Sequence, residues 1–253
     1  MSTRVCHLRA QDLGVSILCV GFLVSSLGAV GQIGRQRARE AVCLSNVMQL
    51  SRAWLMYSQD NDGKLVGGQA GRGNWVDRSV SGNSKEQKLD AIRRGLLFPY
   101  VGDARIYRCP AQEVQEDPNW FCLRSFAIAG GANGEIWYSY IRVTKYAELE
   151  NPAVRYVFLE EPDIRGTLPG SWQMNPGSRT WVDPVAMWHD TKTTLGFADG
   201  HAGTHAWGDR SFIDWNLKAM YSPGVFTFGM TPPADEQNDI DYMATGFPYK
   251  SLK

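Results

Sequence analysis

Apolar and polar positions follow three regimes along this chain. From Leu13 to Ile33 the stretch LGVSILCVGFLVSSLGAVGQI runs for 21 residues without a charge. As a helix rising about 1.5 Å per residue it reaches roughly 30 Å, the thickness of a bilayer's hydrocarbon core. From residue 34 the pattern turns amphipathic. Cys43, Val47, Leu50, Trp54 and Tyr57 step by four and three, with Arg39, Asn46, Gln49 and Arg52 off that stripe. DNDG at Asp60 to Gly63 supplies a stop, because Gly accepts the left-handed conformation that ends helices and Asp or Asn turns the local backbone. It also mimics the start of an EF-hand loop, but no glutamate stands at the twelfth position. The pattern predicts one helix of about 45 residues: a leader at 1–12, a transmembrane segment at 13–33, and an amphipathic continuation at 34–60 that lays its stripe on a globular domain.

Beyond residue 60 the period shortens. Lys85 to Arg94 reads as a short helix punctuated by Gly95, and RYVFLEE from Arg155 as a short apolar strand ending in carboxylates. TTLGFA and HAGTHAW flank Asp199-Gly200, a hairpin signal whose type I′ turn requires positive φ at both central residues. The expected fold is α+β: a long N-terminal helix packed on a mainly antiparallel sheet spanning 61–207, followed by a surface extension at 208–253.

Composition narrows the class. Hydrophobic residues make up 43% of 253 and aromatics 11%, enough for a core, while 26 Gly and 12 Pro favour short strands and turns. Lys plus Arg equals Asp plus Glu at 26 each, so no global field attracts nucleic acid. Arg4 and Arg9 precede the apolar segment and Arg35, Arg37 and Arg39 follow it, a small excess that puts the N-terminus outside on the positive-inside rule. Ala29 to Gly31 fits the small-x-small pattern of signal peptidase, so a cleaved secretory signal is the rival to an anchor.

Three of the four histidines fall in HDTKTTLGFADGHAGTH, which begins at His189. His201 and His205 have the spacing of a helical metal pair. On a strand, at about 3.3 Å per residue, they stand roughly 13 Å apart and cannot share an ion. The hairpin therefore argues against that pair and leaves His189 to bond backbone or a nearby carboxylate. A metal-dependent hydrolase built on His189, Asp199 and His201 is the least favoured functional reading. The five cysteines contain no C-x-x-C, and Cys6 and Cys19 fall in the leader and span. A bridge from Cys43 to Cys109 pins the helix to the domain, Cys109 to Cys122 is the alternative, and reduced, packed thiols are a third outcome. No G-x-S-x-G is present. Trp172, Trp181, Trp188 and Trp207 read either as core or as the sugar-stacking face of an envelope carbohydrate-binding module.

RQRAREAVCL, then SNVMQLSRAWLMYSQDNDGKLV, resembles the signature of planctomycete-type prepilin-like proteins. His189, nine residues, then Asp199-Gly200 resembles the H-x9-DG motif of a subset of that family. IYRCP at Ile106 to Pro110 and LENPAVRYVFLEEP at Leu149 to Pro162 look like two further family blocks. The resemblance implies a non-enzymatic pilin or pseudopilin-like structural protein of a type II secretion or type IV pilus-like system. Its helix would be anchored once in the inner membrane, its domain would lie in the periplasm, and its partners would be other pilin-like subunits or secretion components. Gly14 then marks the leader cleavage position, although Val15 stands where the family has Phe and Cys19 where it has Glu. His189, Asp199, Gly200 and His201 become a structural motif. The calcium site known from some pseudopilins makes Glu160, Glu161, Asp163 and Asp199 candidate Ca²⁺ ligands, since Ca²⁺ takes six to eight oxygens.

Overall fold

The computed structural model describes the backbone of residues 10–79, 82–112, 123–136, 140–162 and 170–250, with side chains from residue 31 onward. Two compact units divide the chain, Met1–Arg39 and Glu40–Lys253. Helix α1 covers Ala10–Asp60 and stops at the expected place, where Asp62 and Gly63 turn to positive φ and the Gly63 N–H donates to the Ser58 carbonyl. The single-pass inner-membrane localisation is corrected: among the described residues, no helix is long and apolar enough to cross a membrane. In the part of α1 with described side chains, Arg35, Arg37, Arg39, Glu40 and Arg52 break up the apolar positions. The side chains of 10–30, the leader residues 1–9 and the side-chain surroundings of Gly14 lie outside the described residues.

The second unit is α+β. Helix α2 (Lys85–Arg93) opens on a capping box: the Ser84 side chain accepts from the Gln87 N–H, and the Gln87 side chain accepts from the Ser84 N–H. A short helix α3 (Phe98–Val101) and a 3-10 turn (Ala104–Tyr107) lead towards Cys109. Strands β1 (Phe126–Ala129), β2 (Ile141–Arg142), β3 (Tyr156–Glu160) and β4 (Ser171–Trp172) follow. After them come β5 (Met174–Asn175), β6 (Thr180–Trp181), β7 (Lys192–Phe197) and β8 (Ala202–Ala206). The main sheet has the order β4-β1-β3-β7-β8; every neighbour is antiparallel except the β1–β4 pair, which is parallel.

Apart from the half-exposed edge strand β8, this sheet is buried on both faces. On one lie Phe126, Ile128 and Phe158, packed with Cys43, Val47, Leu50 and Trp54 of α1. On the other lie Ala127, Leu159, Leu195 and Phe197 with Trp172 and Trp181. A register shift between Tyr156 and Phe158 breaks strict alternation along β3. α1 approaches closely at Gly196, where a Cβ would collide with Ser51 Oγ and come within 3.0 Å of a Val47 methyl.

Two expectations change in detail. The β7–β8 connection is a three-residue loop, Ala198 to Gly200, with the Gly200 N–H donating to the Phe197 carbonyl and the Phe197 N–H to that of His201. Only Gly200 has positive φ, at 90°, so the turn is not type I′. The stretch after Gly208 is not a surface extension. Helices α4 (Arg210–Tyr221) and α5 (Asn238–Gly246) place Phe212, Ile240, Met243 and Phe247 fully inside the second core cluster, and β9 (Tyr249–Lys250) pairs with β2.

Candidate functional site

Four side chains from four distant parts of the second unit converge beneath α1. Cys43 heads the buried stripe of that helix. Cys109 follows the 3-10 turn, its N–H donating to Ser125 Oγ at 2.7 Å, and the preceding carbonyl of Arg108 accepts from Asn46 of α1. Glu160 ends β3 two residues after Phe158, and therefore points to the α1 side of the sheet. His189 sits just before β7, where Asp190 and Thr191 take φ of 57° and 58° in succession. Left-handed backbone at a β-branched residue costs of order 1–3 kcal/mol and persists only where its surroundings enforce it.

The four groups share a dry volume. Cys43, Cys109 and Glu160 are 0% exposed and His189 is 1% exposed. The Cys43 thiol donates to Glu160 Oε1 at 3.0 Å, His189 Nε2 lies 3.1 Å from the same oxygen, and Cys109 Sγ is 3.3 Å from the same Nε2. One ligand atom from each residue lies within 4.8 Å of every other, and among the described residues no other group of three or more such side chains does so. Backbone donors support the outer edge: the Thr194 N–H donates to Glu160 Oε2 at 2.8 Å, and the Ala111 N–H to Cys109 Sγ at 3.3 Å. His189 Nδ1 is buried and has no hydrogen-bond partner among the described residues.

Burial drives the Cys43 thiol far above its ordinary range, reinforced by its bond to Cys109 and by the Glu160 charge. Burial also pushes Cys109 up, but its bonds to Cys43 and His189 outweigh that and hold it below the ordinary thiol value. Burial lowers His189, yet its bonds to Cys109 and Glu160 prevail and raise it. A nucleophilic relay needs a base whose two ring nitrogens serve different partners. Here Cys109 and Glu160 both address Nε2, and all four side chains are buried.

The other sequence candidates go elsewhere. Asp199 does not meet His189; it accepts from the His201 N–H and bonds His201 Nδ1 at the surface. Burial tends to raise the Asp199 carboxyl, and the His201 contacts outweigh this to hold it below its ordinary value. His205 Nε2 faces Asp239 at 3.3 Å and stacks on Tyr242. The hydrolase constellation of His189, Asp199 and His201 is therefore not assembled. Of the proposed calcium set, Glu160 belongs to the thiol cluster, Glu161 and Asp199 form no metal-ligand group with it among the described residues, and Asp163 lies outside the described residues. Cys43 and Cys109 do meet, as the bridge reading expected, but as free thiols; Cys122 lies outside the described residues. Trp172 and Trp181 are 0% exposed and Trp207 5%, and Trp188 is half-buried against the first core cluster, so the four pack as core and present no open sugar-stacking face. Each residue of the cluster had been singled out in the sequence, under three different headings. Their convergence was not legible there, because β3 is buried at every position and alternation does not say which face Glu160 joins.

Comparison with protein-family models, with curated proteins and with solved structures finds no match to this chain. The class that the fold and site define is accordingly physical: an α+β unit with a helix clamped to a mixed, mainly antiparallel sheet over a buried cluster of two cysteines, a histidine and a glutamate.

Proposed function

We propose that the chain is a non-enzymatic, pilin-like structural subunit that assembles with other pilin-like subunits or secretion components. One observation carries this reading. A single helix of 51 residues is built into the core of the second unit by its last turns, while its residues 32–39 are exposed. A subunit that assembles by helix contacts needs one end of the helix fixed and another stretch available. The burial of the thiol, imidazole and carboxylate side chains supports a non-catalytic role.

The reading is tested by in-cell photocrosslinking in the native host. A photoreactive side chain replaces Ile33 of the exposed helix stretch, with Tyr221, also exposed, as the control position. Ladders of self-multimers, or adducts with pilin-like proteins, are expected from position 33 and not from 221. Monomer alone at position 33, or the same adducts from both positions, contradicts the reading.

A further inference from the structure

We propose that Cys43, Cys109, Glu160 and His189 form a buried four-coordinate zinc centre that fastens the lower half of α1 to the sheet. The inference does not depend on the assembly role above. Zinc bound by thiolate, imidazole and carboxylate lies about 2.0–2.3 Å from each donor. A tetrahedron of that size has edges of roughly 3.3–3.8 Å. The three neighbouring separations around the cluster, 3.0, 3.1 and 3.3 Å, are slightly shorter. The remaining separations are within 4.8 Å, so side-chain shifts on the order of an ångström bring the four donors to tetrahedral spacing around an ion.

Chemistry selects the occupant. Two sulfurs and a ring nitrogen are soft to borderline donors and suit zinc over calcium or magnesium, which seek oxygen shells. Four protein donors with no open position make a structural centre. Electrostatics argues the same way. With both thiols and the carboxylate ionised, the pocket holds three negative charges out of water, a cost that a divalent ion offsets to one. The N–H donors of Ala111 and Thr194 already face the sulfur and carboxylate outer edges and spread the remainder. On binding, each thiol gives its proton to solvent and zinc takes the freed sulfur lone pair. The imidazole coordinates through Nε2, and its proton resides on Nδ1.

The test uses the full chain purified under reducing conditions. Metal content is measured by native mass spectrometry after addition of zinc. Co²⁺ in place of zinc reports geometry through thiolate charge-transfer and tetrahedral d–d absorption. One ion per chain is expected, with both spectral signatures present, lost in Cys43→Ser and Cys109→Ser and retained in His201→Ala. Because the cysteine variants also perturb the core, the wild-type chain is stripped with a chelator and melted: Tm should fall, and should return with zinc but not with calcium. No bound ion, a Co²⁺ spectrum lacking thiolate charge transfer, a Tm indifferent to stripping, or a Cys43–Cys109 disulfide formed in the presence of zinc would each overturn the proposal.

Discussion

Glu148 shows how single residues in this molecule are held by several weak partners at once. Its carboxylate pairs with Lys250 Nζ at 2.7 Å and accepts from the N–H groups of Thr144 and Lys145. The Lys250 contact first, and those N–H donors with it, lower its pKa from 4.5 to about 2. A carboxyl depressed on folding contributes stability that is complete above its unfolded value and is lost as pH falls through its folded one. The contribution should therefore fade between pH 4.5 and about 2. In urea titrations across that window, Glu148→Gln should flatten the fall of the unfolding midpoint relative to wild type; parallel curves would show that the pair contributes nothing. Neither the Lys250 contact nor the His189 to Glu160 contact could be read from the sequence. Their partners lie 102 and 29 positions apart, and no period links them.

Among the elements, the seam between α1 and β7 sets the height of the helix above the sheet. Gly196 is required there by close approach. Gly196→Ala should push against Ser51 and Val47 and destabilise by about 1–3 kcal/mol, as overpacking of a tight core does. Denaturant midpoints measure this, and Gly203→Ala on β8, whose nearest contact is 3.6 Å, should cost less. A Gly196→Ala midpoint equal to wild type would mean the helix rides higher than described. The stripe from Cys43 to Trp54, the stop at DNDG and the β7–β8 hairpin were legible because helix period, left-handed glycine and strand alternation are local signals. The turn type was not. Asp199 turns its carboxylate to the His201 N–H and keeps the right-handed side of φ, so Gly200 alone supplies the positive φ.

For the whole molecule, the sheet is a middle layer, and this governs which sequence signals fail. A strand covered on both faces does not alternate: β3 is buried at all five positions. Its run therefore concealed which face Glu160 joins, and with it the site. The segment after Gly208 looked peripheral because its apolar residues are spaced among prolines and polar residues, yet they cover the sheet's second face. Phe247→Ala, which empties a fully buried site, should cost about 3–5 kcal/mol by thermal or urea unfolding; a loss within about 0.5 kcal/mol, typical of surface positions, would return the segment to the periphery. The helix on the first face is held, at its Cys43 turn, by the cluster that also carries the central claim. X-ray absorption at the zinc edge of the reconstituted full chain tests it most directly. Two sulfur scatterers at about 2.3 Å and two nitrogen or oxygen scatterers at about 2.0 Å are predicted. A shell of light atoms alone, with no sulfur, would contradict it.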